Sequence, residues 1–246
     1  MDFNSLLRII NRDTKMIIIS NPHNPVGRAW TRGELSRLAD ICNRHGIIIV
    51  SDEIHCDLVL PGYSHTALAT VSEEASRITV TCVAPSKTFN LAGLSTSSVI
   101  IKDPALRDKF TGLTGKLHID NGNIFGTAAS IAAYSEGADW VNALNEYING
   151  NVAYVIRYMK ENIPEIVAVR PEATYMIWLD CRKLSMSGKE LRDFFVNKAG
   201  IGMNEGSSFG PGGEGFMRMN LATSRKVITT AMEQIKRAVA ELRPAG

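Results

Sequence analysis

Hydrophobic positions along this chain follow two different periods. Met16–Ser20, Ile47–Val50 and Ile78–Val83 are short, continuous apolar or β-branched runs, the pattern of strands buried on both faces. Between the first two, Thr31-Arg-Gly-Glu34 fits a capping box. Leu35, Leu38, Ala39 and Cys42 then recur at helical spacing, and Gly46 marks a stop. A strand–helix–strand succession of this kind builds a parallel sheet. Ser97–Ile101 reads as a further strand, and Asp103-Pro104 opens a helix with proline in its first turn. Residues 1–14 are short, polar and poorly patterned.

The later part reads differently. Asn121–Gly126 is a glycine-punctuated loop. Thr127–Asn162 is largely helical, with a break at Gly137 and an end at Pro164. Ile166–Arg170 and Tyr175–Asp180 have the pattern of strands, and Ser187–Ala199 that of a helix. The glycine-rich stretch Gly206–Gly215 lacks the strand-to-helix setting and the Gly-Lys-Ser/Thr ending of a phosphate loop, so it reads as a turn. It feeds Phe216–Ala222, where alternation puts Phe216, Arg218 and Asn220 on one face. A last amphipathic helix runs from about Lys226 to Leu242. The pattern predicts an α/β protein: a mostly parallel sheet over residues 1–137, then a linker helix and a small α+β domain over 138–246.

Composition narrows the picture by exclusion. With 27 basic and 25 acidic residues the net charge is +2, which gives no reason to expect a nucleic-acid or membrane-surface partner. No apolar run reaches membrane-spanning length, and the first residues lack the pattern of a signal peptide. Cys42, Cys56, Cys82 and Cys181 form no CxxC pair and no metal-finger spacing. They read as reduced thiols of a cytoplasmic protein.

Candidate chemistry gathers after the three apolar strands. Ligands of open parallel sheets bind beyond the carboxyl ends of the strands. The first strand runs into Asn21-Pro-His-Asn-Pro-Val-Gly27, a stiff turn-rich loop carrying two carboxamides. These can also do no more than satisfy the loop's own backbone. The second strand delivers Asp52 and His55. The third ends before Pro85, and Ser86 and Lys87 follow. A lysine at such an edge can be desolvated, which favours its neutral, nucleophilic form; a solvated loop lysine is the blander reading. Asn24, Asp52, His55 and Lys87 are therefore candidates for one site. Asp52, Glu53, His55, Cys56 and Asp57 can also be read as a metal cluster or as an acidic surface patch, but no HExxH-like pattern supports a metal.

Four strings then carry a resemblance: Asn21–Gly27, Ser51-Asp-Glu-Ile-His55, Ser86-Lys-Thr-Phe-Asn-Leu-Ala-Gly-Leu94 and Phe216-Met-Arg-Met-Asn220. In this order they resemble the pyridoxal 5′-phosphate (PLP) enzymes of aminotransferase classes I and II. Within these they are most similar to the cystathionine β-lyase subgroup of MalY and PatB type. The resemblance implies that Lys87 holds the cofactor covalently and shuttles the Cα proton. Asp52 would pair with the pyridine nitrogen. Asn24 would bond the ring's 3′-oxygen, with His55 where many relatives place a tyrosine for that oxygen. Ser86 would help bind the phosphate, and Arg218 would hold the substrate α-carboxylate. A small amino-acid substrate and a homodimer are implied as partners.

The departures matter too. Relatives often have serine three residues before the lysine and arginine eight residues after it, where this chain has Ala84 and Ser95. The Asn-Pro-x-Asn-Pro strand begins near residue 16, whereas family members carry a substantial segment before it. The chain is therefore expected to be the later, larger part of such an enzyme, a truncated form. Three functions follow from the resemblance: a carbon–sulfur β-lyase, an aminotransferase, or an inactive fragment. The Asp-Glu-Ile-His-x-Asp-Leu and Ser-Lys-Thr-Phe-Asn strings favour the lyase.

Overall fold

The structure is a computed structural model that describes residues 1–119 and 122–242. It divides into two compact units: Met1–His23 with Arg28–Ala143, and Asn24–Gly27 with Leu144–Gly246. In chain order the first unit holds α1 (Phe3–Ile9), β1 (Met16–Ser20), α2 (Arg32–Arg44), β2 (Ile48–Asp52), α3 (Glu73–Ile78), β3 (Thr79–Val83), α4 (Pro85–Thr88), β4 (Ser98–Ile101), α5 (Pro104–Lys116) and α6 (Ile124–Glu136). The division falls inside α7 (Ala138–Asn162). The second unit continues with β5 (Val167–Val169), β6 (Met176–Asp180), α8 (Gly188–Asp193), β7 (Asn204–Glu205), β8 (Phe216–Asn220) and α9 (Arg225–Ala240).

The first sheet has the order β1-β2-β3-β4. Its first three strands are parallel, as the continuous apolar runs predict, and β4 is antiparallel to β3. The register sets Ser20 beside Asp52 and Asp52 beside Cys82, so the three parallel strands end together. Leu35, Leu38, Ala39, Ile41 and Cys42 of α2 pack with Ile19, Ile47, Ile49 and Ala75 into one core. The patternless start of the chain turns out to hold a helix. Asp2 caps it, accepting from the Ser5 N–H at 2.9 Å, and Phe3 is buried in the same core. Seven residues are too few to be helical alone, so packing rather than local propensity forms α1.

The expectation that these strands are buried on both faces fails at β1, where Met16 is 53% and Ile18 72% exposed. Helices cover one side of that strand only. Likewise α5 buries no residue and α6 only Gly126, although α6 is rich in apolar residues. The expected Asn121–Gly126 loop is shorter. Asn121 lies outside the described residues, and Asn123 caps α6 by accepting from the Phe125 and Gly126 N–H groups.

The predicted capping box of α2 forms in full. The Glu34 carboxylate accepts from the Thr31 N–H and hydroxyl, both at 2.9 Å, and pairs with Arg28 and with the terminal ammonium. Partial burial pushes the Glu34 carboxyl upward, but these donors outweigh it and leave the group below its ordinary value. Its stabilising effect is therefore present above the unfolded-state value and is lost as pH falls through the folded one. Glu34→Gln should lower stability by about 1 kcal/mol at pH 7. The gap to the parent should close as urea melts are taken to pH values below the ordinary carboxylate range. A gap unchanged in acid would refute the charge's part in the cap.

The second unit's sheet has the order β5-β6-β8-β7, antiparallel throughout. Ile148, Val152, Val155 and Met159 of α7 and Ile228, Met232, Ile235 and Val239 of α9 are fully or almost fully buried, as are Ile177 and Leu179 of β6 and Met217 of β8. Each such side chain adds on the order of 2 kcal/mol of transfer free energy. Asn151 is a polar exception inside α7. It donates to the Leu221 and Thr223 carbonyls and accepts from Arg225 Nε, fixing the turn that follows β8. The helix expected over Ser187–Ala199 splits into a capped α8 and a π-helical turn over Phe194–Lys198. Gly27 belongs to this unit. Its φ is +77°, and a Cβ there would meet Pro171 Cβ and the Ala173 carbonyl. Its own carbonyl accepts from the Glu172 and Ala173 N–H groups, so the close approach requires glycine.

Candidate active site

In the first unit Asp52 is the last residue of β2 rather than a residue beyond it. Its carboxylate accepts from the Ile54 N–H at 3.3 Å. His55 follows, 3% exposed. Ser86 and Lys87 lie on α4, a single helical turn just past β3, opened by Pro85 and preceded by extended Ala84. Lys87 is half-buried. Asp52 thus ends β2, and His55, Ser86 and Lys87 follow the carboxyl ends of neighbouring parallel strands.

Beneath Asp52 lies a network that the sequence did not reveal. The Glu53 side chain is 2% exposed. One of its oxygens accepts from Ser51 Oγ at 2.8 Å, from the Leu68 N–H at 3.0 Å and, at 3.4 Å, from Asn21 Nδ2. The other faces His65 Nε2 at 2.9 Å. A buried carboxylate needs several donors of this kind. Asn21 also donates to the Thr66 carbonyl at 2.9 Å, so it ties β1 to a distant loop instead of satisfying its own. Asp57 accepts from Thr88 Oγ1 at 2.9 Å. Burial first, then the Asp57 and Glu53 charges, push the Cys56 thiol up to about 12, which leaves it protonated and unreactive at neutral pH. Glu53 and Asp57 are engaged in these separate bonds, and among the described residues no three His, Cys, Asp or Glu side chains gather to hold a metal.

The second unit holds Asn24 and Arg218. Arg218 stands on β8 opposite Asn204 on β7 and Trp178 on β6. Its guanidinium donates to Asn204 Oδ1 and to Asn24 Oδ1, both at 2.8 Å, and lies 4.6 Å from the Phe209 ring centroid. Its Nε is buried without a hydrogen-bond partner among the described residues. Burial shifts Arg218 downward, and the Tyr175 phenol partly offsets this. The Tyr175 phenol is raised by burial, against the pull of Arg218. Trp178 stacks on Phe216 at 5.5 Å and meets Phe209 edge-on at 5.8 Å, so three aromatic rings wall this face. Asn204 and Phe209 were not legible in advance. The glycine-rich stretch was the one signal, since it brings Phe209 back over β8.

The model of the family described as aminotransferase class I and II matches residues 1–235. This chain belongs to that family. It is 39% identical over 240 residues to "Cystathionine beta-lyase PatB" of Bacillus subtilis (strain 168), a match covering 97% of this chain and 62% of that protein. It is 30% identical over 232 residues to "Protein MalY" of Escherichia coli (strain K12), covering 94% and 59%. The crystal structure of cystalysin from Treponema denticola, described as containing a pyridoxal 5′-phosphate cofactor, superimposes with a TM-score of 0.96 at 37% identity, covering 99% of this chain and 62% of that one. The chain therefore spans about three fifths of the length of the relatives it matches. The mixed α/β architecture with a mainly parallel first sheet is that of the family.

Proposed function

We propose that the family enzyme represented by this chain is a PLP-dependent carbon–sulfur β-lyase. It would convert cystathionine or another cysteine S-conjugate, with water, to a thiol, pyruvate and ammonia. The observation that carries the substrate class is Arg218. Its hydrogen bonds go to two neutral carboxamides, its Nε has no partner among the described residues, and the side chain is partly buried. A partly buried guanidinium held in this way favours an anion, and its planar fork suits a carboxylate. The similarity to PatB and MalY supports the lyase over the aminotransferase reading.

The donor set suits the cofactor. Lys87 offers a primary amine for an aldehyde, Asp52 a carboxylate for a pyridinium, Ser86 a hydroxyl for a phosphate, and Asn24 and His55 polar groups for a ring oxygen. PLP, when bound, supplies the electron sink that accepts the electron pair left at the substrate Cα. In this reading Asp52 would favour a protonated ring nitrogen, Lys87 would take the Cα proton, and Arg218 would hold the α-carboxylate. Ile18, Leu113, Ile124, Phe125 and Ile131 are apolar side chains left exposed in the first unit, which supports association as a homodimer. The four unbridged cysteines support a reducing, cytoplasmic setting.

With cystathionine and added PLP, pyruvate release is expected to exceed amino transfer to 2-oxoglutarate. Transfer without pyruvate would favour the aminotransferase; neither product, with no cofactor absorbance, would mark the chain as inactive by itself.

A further inference from the structure

The one-turn helix α4 cannot hold its own orientation. Four residues form too short a helix to be stable alone, and its backbone adds only the Phe89 N–H to the Pro85 carbonyl and the Leu91 N–H to the Ser86 carbonyl. Side chains must therefore aim it. On one side Phe89 meets Tyr134 edge-on at 5.3 Å and stacks on Trp140 at 6.0 Å. On the other, Thr88 is fully buried and its hydroxyl donates to Asp57 Oδ2 at 2.9 Å. Asp57 sits on a firm base. Its loop turns through the Cys56 N–H to the Glu53 carbonyl and the Leu58 N–H to the His55 carbonyl, and Leu58 is fully buried. The same loop is clamped beneath by the Glu53 network.

We propose that Thr88 and Asp57 form a positioning pair for Lys87, fixing the angle at which the neighbouring amine is presented to the end of β2. Successive helical residues point about 100° apart, so a small rotation of so short a helix swings the long lysine stem widely. The bond to Asp57 is the polar lock on that rotation. This inference rests on the reading of Lys87 as the reactive amine. It names a pair that acts on Lys87 through the backbone and touches no substrate.

The test reads Lys87 directly, without cofactor. Lysines of the chain are reductively methylated at neutral pH and quantified by peptide mass spectrometry, with Lys102 and Lys109 as internal standards. Thr88→Val keeps the shape and removes the donor. It should change Lys87 labelling relative to the standards by roughly tenfold or more, the factor expected of one hydrogen bond to a charged acceptor. Thr88→Ser should restore the parent value. Asp57→Ala should act like Thr88→Val, and the double variant should add nothing, because both remove one bond. A second arm adds PLP and fixes it with borohydride; the share attached to Lys87 should fall in Thr88→Val and recover in Thr88→Ser. If Lys87 labelling in Thr88→Val and Asp57→Ala matches the parent while thermal stability drops, the pair is only structural and the proposal is overturned. If Thr88→Val does not fold, Asp57→Ala decides by the same measure. If the parent attaches no PLP, the cofactor reading of Lys87 fails, and the labelling comparison still decides the pair.

Discussion

On the proposed lyase reading, replacing Lys87 by alanine in the full-length enzyme should cut turnover by roughly 10⁴-fold or more, since it would remove both the covalent attachment and the proton carrier. Borohydride should then fix no cofactor at position 87, and the absorbance of the lysine-bound cofactor should vanish. The effect is expected to exceed that of any other single change because Ser86 and Thr88, which flank Lys87 on α4, carry no amine. The α4 backbone and the Thr88 bond to Asp57 do not depend on the lysine side chain, so stability should change little. Steady-state pyruvate release and a urea melt on the same preparation check both halves. Turnover within a factor of a few of the parent would remove Lys87 from the mechanism.

The second large effect is expected at Arg218. Arg218→Ala deletes a partly buried cation that donates to Asn24 and Asn204 and leaves both carboxamide oxygens without those donors. Losing two charge-assisted hydrogen bonds to a substrate carboxylate, at about 1.5–3 kcal/mol each, lowers kcat/KM by roughly 10²- to 10⁴-fold. A carboxylate is held equally in the ground and transition states, so the loss should fall mainly on KM. Arg218→Lys keeps the charge but not the planar fork and should recover only part of it. An unchanged KM in Arg218→Ala, with cofactor still bound, would exclude Arg218 as the carboxylate clamp.

Much of the site was legible because its residues sit at strand ends. Three apolar runs mark β1, β2 and β3, and a parallel sheet brings their carboxyl ends to one edge, so Asn24, Asp52, His55 and Lys87 were candidates from pattern, whereas Ser86 entered through the family resemblance. Alternation placed Arg218 on the face away from the core-facing Met217 and Met219, but only the family resemblance made it a candidate. What surrounds these residues was not legible. Asn21, His65 and Leu68 converge on Glu53 across separations of up to 32 residues, and no local period signals such a meeting. Nothing near Thr88 in sequence announces Asp57, 31 residues earlier.

By itself, then, the order of residues determined what is set by short-range chemistry. That includes the α2 capping box, the break at Gly137, the strand–helix–strand unit and the residue types at its edges, because these depend on period, caps and backbone freedom within a few residues. The tertiary structure decided where burial and partnership fell. It made a helix of Phe3–Ile9 by burying Phe3, left Ile18 of an apolar strand exposed, and turned β4 antiparallel. It also surrounded Arg218 with neutral carboxamides and an aromatic ring rather than a carboxylate. The physical reason is common to all of these. A side chain's free energy depends on which groups it meets after the chain has closed on itself, and those groups come from segments far apart in sequence.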